Sequence, residues 1–137
     1  MSRVFIIIFA FFSLAVRAED NFVEKFVVGD YLLIGEGIDT QQTYSGKVSI
    51  YLEERKLKVK RIIDGQSIVG VASFESVLSG ESKALRIRFQ ENNIRYEESC
   101  LWGSDLDNYA RISCYLYIPG ADINKPGLEA LFINHAQ

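Results

Sequence analysis

Histidine occurs once in the 137 residues, as His135 near the C-terminus, and cysteine twice, as Cys100 and Cys114. A single histidine excludes a histidine pair for zinc and any local serine–histidine–acid signature, and two cysteines make no metal-binding cluster. No glycine-rich loop runs into Lys-Ser or Lys-Thr, so that kind of phosphate cradle is missing. No apolar run reaches the ~20 residues needed to span a bilayer as a helix, and the chain reads as not integral to a membrane. Nor is there an excess of positive charge: 15 basic side chains face 18 acidic ones, for a net −3. A general nucleic-acid binder is therefore not expected. What survives on the catalytic side is an enzyme built only on carboxylates, such as Glu98 with Asp105 or Asp107, and no spacing argument favours it. The chain reads as non-enzymatic, with no cofactor and no metal ion expected.

What is present begins with a secretory signal. Met1 to Ala18 has a basic start at Arg3, an apolar run from Val4 to Val16 and a small-residue exit at Val16-Arg17-Ala18. The expected organisation is a cleaved leader over residues 1–18 and a single domain over 19–137, exported to a periplasm or secreted. Losing Arg3 and Arg17 with the leader leaves the remainder more acidic still. A domain of about 120 residues buries roughly two-thirds of its unfolded surface, enough for one core. Export also places Cys100 and Cys114 where thiols are oxidised, so a disulfide is expected in preference to free thiols.

Two-residue periodicity dominates from Tyr44 to Ile118. Tyr44, Gly46, Val48, Ile50 and Leu52 share one phase. Leu57, Val59, Arg61 and Ile63 follow after the charged turn Glu53-Glu54-Arg55. Asp64-Gly65 is a two-residue hairpin signal leading to Ile68, Gly70, Ala72 and Phe74. Leu85, Ile87 and Phe89 precede a turn at Asn92-Asn93, and Ile94, Tyr96, Glu98 and Cys100 continue beyond it. The last clear strand runs from Tyr109 to Ile118.

These turns predict registers that can be tested against one another. Asp64-Gly65 sets Arg61 opposite Ile68 and Leu57 opposite Ala72. Asn92-Asn93 sets Phe89 opposite Tyr96, Ile87 opposite Glu98 and Leu85 opposite Cys100, with Arg88 facing Glu97 on the other side. A bonded Cys100–Cys114 pair sets Trp102 opposite Ile112 and Glu98 opposite Leu116. Each keeps the apolar set on one face, which a one-residue slip would destroy. The expected fold is all-β: an antiparallel up-and-down meander closing into a seven- or eight-stranded barrel, with a β-sandwich as the alternative. Gly35, Gly37, Gly46 and Gly70 are places for tight bending or close strand approach. Asn124 is expected to cap a short C-terminal helix, whose apolar positions Leu128, Leu131, Phe132 and His135 follow helical spacing. Ile62, Val69 and Val71 project outward, and that helix or a second subunit is expected to cover them.

Arg61 and Glu98 fall on the inward phase of apolar strands, where an unpaired charge costs several kcal/mol. They read either as polar anchors in a ligand cavity or as partners of each other. Tyr109, Tyr115 and Tyr117 lie on the outward phase of one strand with Arg111, which suits a partner surface or simply the preference of aromatics for strands. Lys56, Lys58 and Lys60 make a basic stripe, fit for anionic groups or for a solvated, aggregation-resistant face.

Ser104-Asp105-Leu106-Asp107-Asn108-Tyr109-Ala110 resembles the T-D-Y-x-x-Y loop of the lipocalins, with Leu106 in place of the first tyrosine. Gly29-Asp30-Tyr31 stands where that family places its G-x-W, with tyrosine for tryptophan. The resemblance implies an up-and-down barrel whose mouth admits a small apolar or amphipathic molecule, and makes Tyr31 and Tyr109 closing or rim residues. The function expected is an exported binding protein for such a ligand. Phe74, Phe89, Tyr96 and Val48 are expected to line the cavity, with Arg61 and Glu98 orienting the ligand's polar end. The alternative is a cell-envelope interaction module or inhibitor that works through the outer tyrosines on a protein partner. The chain is expected to be a monomer or a dimer.

Overall fold

A computed structural model of the protein describes residues 16–103 and 109–136, with side chains from residue 22 onward. One helix, α1 (Val16–Val27), precedes eight strands: β1 (Gly29–Glu36), β2 (Thr43–Glu53), β3 (Lys56–Ile63), β4 (Gln66–Val77), β5 (Ser82–Glu91), β6 (Ile94–Trp102), β7 (Ile112–Tyr117) and β8 (Gly127–Ile133). The strands form a closed antiparallel barrel in sequence order, and β8 pairs back to β1. A sandwich is thereby excluded. The leader expected over residues 1–18 lies outside the described residues, apart from the backbone of Val16–Ala18 in the first turn of α1.

Local chemistry explains the meander. Asp64-Gly65 and Asn92-Asn93 both take positive φ at the two central positions, as the tightest hairpins require, and so does Glu54-Arg55. The resulting registers are those expected: Arg61 opposite Ile68, Phe89 opposite Tyr96, Ile87 opposite Glu98, and Glu98 opposite Leu116. Cys100 and Cys114 face each other across β6 and β7 and are joined by a disulfide. Gly46 and Gly70 lie where a β-carbon would collide with the neighbouring strand's backbone, at Ile62 and Arg88 respectively. The barrel curls at both points.

The expected C-terminal helix is not there; β8 takes its place. Leu128, Leu131 and Phe132 do follow helical spacing, but Gly127, Glu129, Leu131 and Ile133 also fall on a two-residue phase, and the barrel selects the second pattern. Without β8, the edges of β1 and β7 would each carry a row of unpaired backbone groups. Asn124 caps nothing. Its N–H and that of Lys125 donate to Asp39 Oδ1 at 2.9 Å and 2.6 Å, and this ties the start of β8 to the β1–β2 loop. With no helix there, Ile62, Val69 and Val71 stay exposed.

The barrel's two ends differ. At one, α1 packs Val27 and Phe26 onto the core and closes the opening. The helix's last carbonyls lack intrahelical partners. Tyr31 donates its hydroxyl to Val27 O at 2.6 Å, and Arg111 Nη1 donates to Phe26 O at 3.2 Å while its guanidinium lies 4.4 Å over the Phe26 ring. Tyr31, Leu33, Ile50, Leu85, Ile87 and Ile112 fill the barrel above, each fully buried. Burying one such side chain contributes about 1.5–3 kcal/mol. At the other end the turns between β1–β2, β3–β4, β5–β6 and β7–β8 surround an open mouth.

Candidate functional site

Arg61 points inward from β3, with Val59 and Leu57 below it on the same phase. A guanidinium so placed must find anions, and it finds two. Its Nη1 donates to Glu98 Oε1 at 3.0 Å and to Glu129 Oε2 at 2.8 Å, while Nη2 donates to Glu129 Oε1 at 2.7 Å. Glu98 comes from β6 and Glu129 from β8. Both are buried, as is Arg61. Tyr44, half-buried on β2, donates its hydroxyl to Glu129 Oε1. It stands over Gly35, where any β-carbon would strike its ring.

The two carboxyl groups are pushed in opposite directions. Burial pushes the Glu98 carboxyl well above the usual carboxylate range, and the neighbouring Glu129 charge pushes it further. Burial works the same way on Glu129, but hydrogen bonds from Arg61, Glu98 and Tyr44 bring it down to about 2. Glu98 Oε2 has no donor of its own. A side-chain hydrogen bond to Glu129 adds to the upward push on the Glu98 carboxyl. Burial disfavours the charged Arg61 guanidinium and pulls its pKa down, yet the Glu129 hydrogen bond and both carboxyl groups raise it above the ordinary guanidinium value. Burial and Glu129 likewise hold the Tyr44 phenol far above its usual range, so it remains a donor.

Above the cluster lies a cavity of about 670 Å³ that opens at the mouth. Its walls include Ile63, Phe89, Tyr96, Leu116 and Ile123, and Tyr44 and Arg61 are at its floor. Phe89 stacks on Tyr96 with ring centroids 5.3 Å apart, and the Arg61 guanidinium sits 4.2 Å over the Phe89 ring. Asp39, Asp64, Glu91 and Asp122 ring the entrance.

The residues expected to line a ligand cavity fall in three places. Arg61, Phe89 and Tyr96 line this one. Glu98 and Val48 are buried in the barrel and do not line it. Phe74 is near the closed end, edge-on to Trp102 at 4.9 Å. Glu129 was hidden from sequence reasoning by the helical reading of its segment; the phase Gly127, Glu129, Leu131 was its signal. Tyr44 was visible on the inward phase, but its partner was not.

Other sequence candidates resolve differently. Glu98, Cys100 and Cys114 bring possible metal ligands within 4.8 Å of one another, but both sulfurs are spent on the disulfide. Asp105 and Asp107 lie outside the described residues. The outward tyrosines do not act as a row: Tyr117 is tied to Glu97, Ser99 and Arg86, while Tyr109 and Tyr115 stand exposed. Tyr31, at the start of β1, closes the α1 end of the barrel.

The architecture is that of a small eight-stranded antiparallel barrel, compatible with a lipocalin-like fold. Compared with known proteins, the chain matches no family model, no curated protein and no solved structure.

Proposed function

We propose that this is an exported, non-enzymatic binding protein that holds one small apolar or amphipathic molecule in the mouth of a lipocalin-like barrel. The observation that carries the reading is the cavity of about 670 Å³, within the size range of small-molecule sites, with mostly apolar walls over a few polar groups. An eight-stranded barrel has room either for side chains or for one small ligand. Here the α1 half is filled and the mouth half is open. The ligand's apolar body lies against Phe89, Tyr96 and Leu116, and its polar end turns to the floor. A guanidinium has five N–H donors, and Arg61 commits three hydrogen bonds to the carboxyl groups. Two donors are left for a ligand oxygen. Because Glu129 already neutralises Arg61, a hydroxyl or carbonyl suits this floor better than an anionic head. Glu98 does not touch the ligand; it positions Arg61. The Cys100–Cys114 disulfide supports export, since such bonds persist in oxidising compartments.

Titration with the neutral fluorescent probe N-phenyl-1-naphthylamine tests the reading, alongside native mass spectrometry for co-purifying molecules. Saturable one-to-one binding is expected, weakened about tenfold by Tyr96→Ala, the loss of some 1.4 kcal/mol of aromatic contact. The absence of both a co-purifying molecule and saturable uptake of the probe would remove the support for a ligand site.

A further inference from the structure

Along β2 to β5 the outward positions are mostly charged or polar, among them Lys47, Lys60, Glu75 and Arg88, with Ile62, Val69 and Val71 as exposed apolar exceptions. Across β6, β7, β8 and β1 they change character. Leu32, Ile34, Leu101, Tyr115 and Leu128 all project outward there, between 42% and 68% exposed. Register makes them one patch: Tyr115 pairs with Leu128, Ile34 with Ala130, and Ala130 with Ser113, which in turn faces Leu101. A depression of about 520 Å³ lies among them.

We infer that this face is an isologous interface, covered by a second copy of the same chain. Area is the first argument. With about 200 Å² for a fully exposed large side chain, these five present on the order of 500 Å². That is the upper end of what a monomer's largest apolar patch exposes. A stable interface takes ~800 Å² per partner, so a polar rim around this apolar centre would supply the remainder. Charge is the second argument. The ionic groups at the patch edges are already paired, Glu36 with Lys125 and Glu97 with Arg86, so the surface meets its own copy without repulsion. A bilayer spanned by the barrel is a poor occupant, because lipid would then also meet Lys47, Lys58, Lys60 and Arg88 on the outer faces of β2, β3 and β5. The depression gives the face a hole, and Leu101, the most exposed of the five, gives it a knob.

Light scattering coupled to gel filtration decides it. The protein, expressed from the full sequence in a secreting host, is run without detergent at about 100 µM, where a dimer of micromolar Kd stays formed. Twice the single-chain mass is expected. Leu101→Lys and Ile34→Lys should each run at single-chain mass with unchanged circular dichroism, both sites being exposed. Val69→Lys, on the β4 outer face, should leave the dimer intact. A wild type of single-chain mass overturns the inference, whether or not it floats with phosphatidylcholine vesicles or retains a foreign protein. So does a dimer that survives both substitutions or is lost in Val69→Lys.

Discussion

Taking a guanidinium out of water costs several kcal/mol, and a buried pair recovers that only with good geometry and satisfied neighbours. Arg61 has the geometry, with two bonds to Glu129 and one to Glu98, while Glu98 Oε2 stays without a partner. The opposite shifts of the two carboxyl groups have opposite consequences with pH. Glu98 holds its proton in the fold where an unfolded glutamate would release it, so its contribution falls as pH rises from the ordinary carboxylate range toward its raised pKa. Glu129 has the reverse sign: its contribution is present above the ordinary range and is lost as pH falls toward about 2. Glu98→Gln should therefore flatten the decline in urea midpoint between weakly acidic and alkaline pH. Glu129→Gln, which strips Arg61 of its anion, should cost about 3 kcal/mol at neutral pH. Equal alkaline slopes for wild type and Glu98→Gln would mean that Glu98 is ionised in the fold. At this scale the sequence marked Arg61 and Glu98 as inward charges in need of partners. Glu129 escaped because a partner on a distant strand leaves no trace in local spacing.

Elements were legible where the turn chemistry was unambiguous. Asp64-Gly65 and Asn92-Asn93 suit positive φ, and every register built from them is present. The eighth strand was not legible, because Leu128, Leu131 and Phe132 fit a helical period while Gly127, Glu129, Leu131 and Ile133 fit a two-residue one, and only closure against β1 and β7 decides between them. The seating of α1 on the closed end was likewise invisible: what fixes it is Tyr31 and Arg111 reaching carbonyls of another element. That contact can be tested singly. Tyr31→Phe keeps the buried ring and removes the hydroxyl, leaving Val27 O without its donor. A loss of about 1–2 kcal/mol in unfolding free energy is expected by urea titration. An unchanged midpoint would show that α1 is seated by its apolar face alone.

At the scale of the whole molecule the barrel is divided along its axis. The α1 half is packed with fully buried side chains, and β6 and β7 are stapled there by the disulfide, whose sequence separation of 14 corresponds to about 3 kcal/mol in the chain-entropy treatment. The mouth half surrounds an open cavity with four connecting turns and has little buried apolar surface to hold them. Local opening is easiest where buried contacts are few, so backbone protection should follow the same division. Hydrogen exchange should show the amides of β1, β5 and β7 near the closed end released only by global unfolding. Those of residues 37–42 and 118–126 should exchange far faster. Saturating N-phenyl-1-naphthylamine should slow the mouth turns selectively, and at a hundredfold excess over its Kd stabilise the whole fold by about 2.7 kcal/mol. Uniform protection from end to end without the probe would mean that the mouth is as rigid as the packed half. The open end would then be a permanent feature of the folded barrel, and not a region free to close over what it holds.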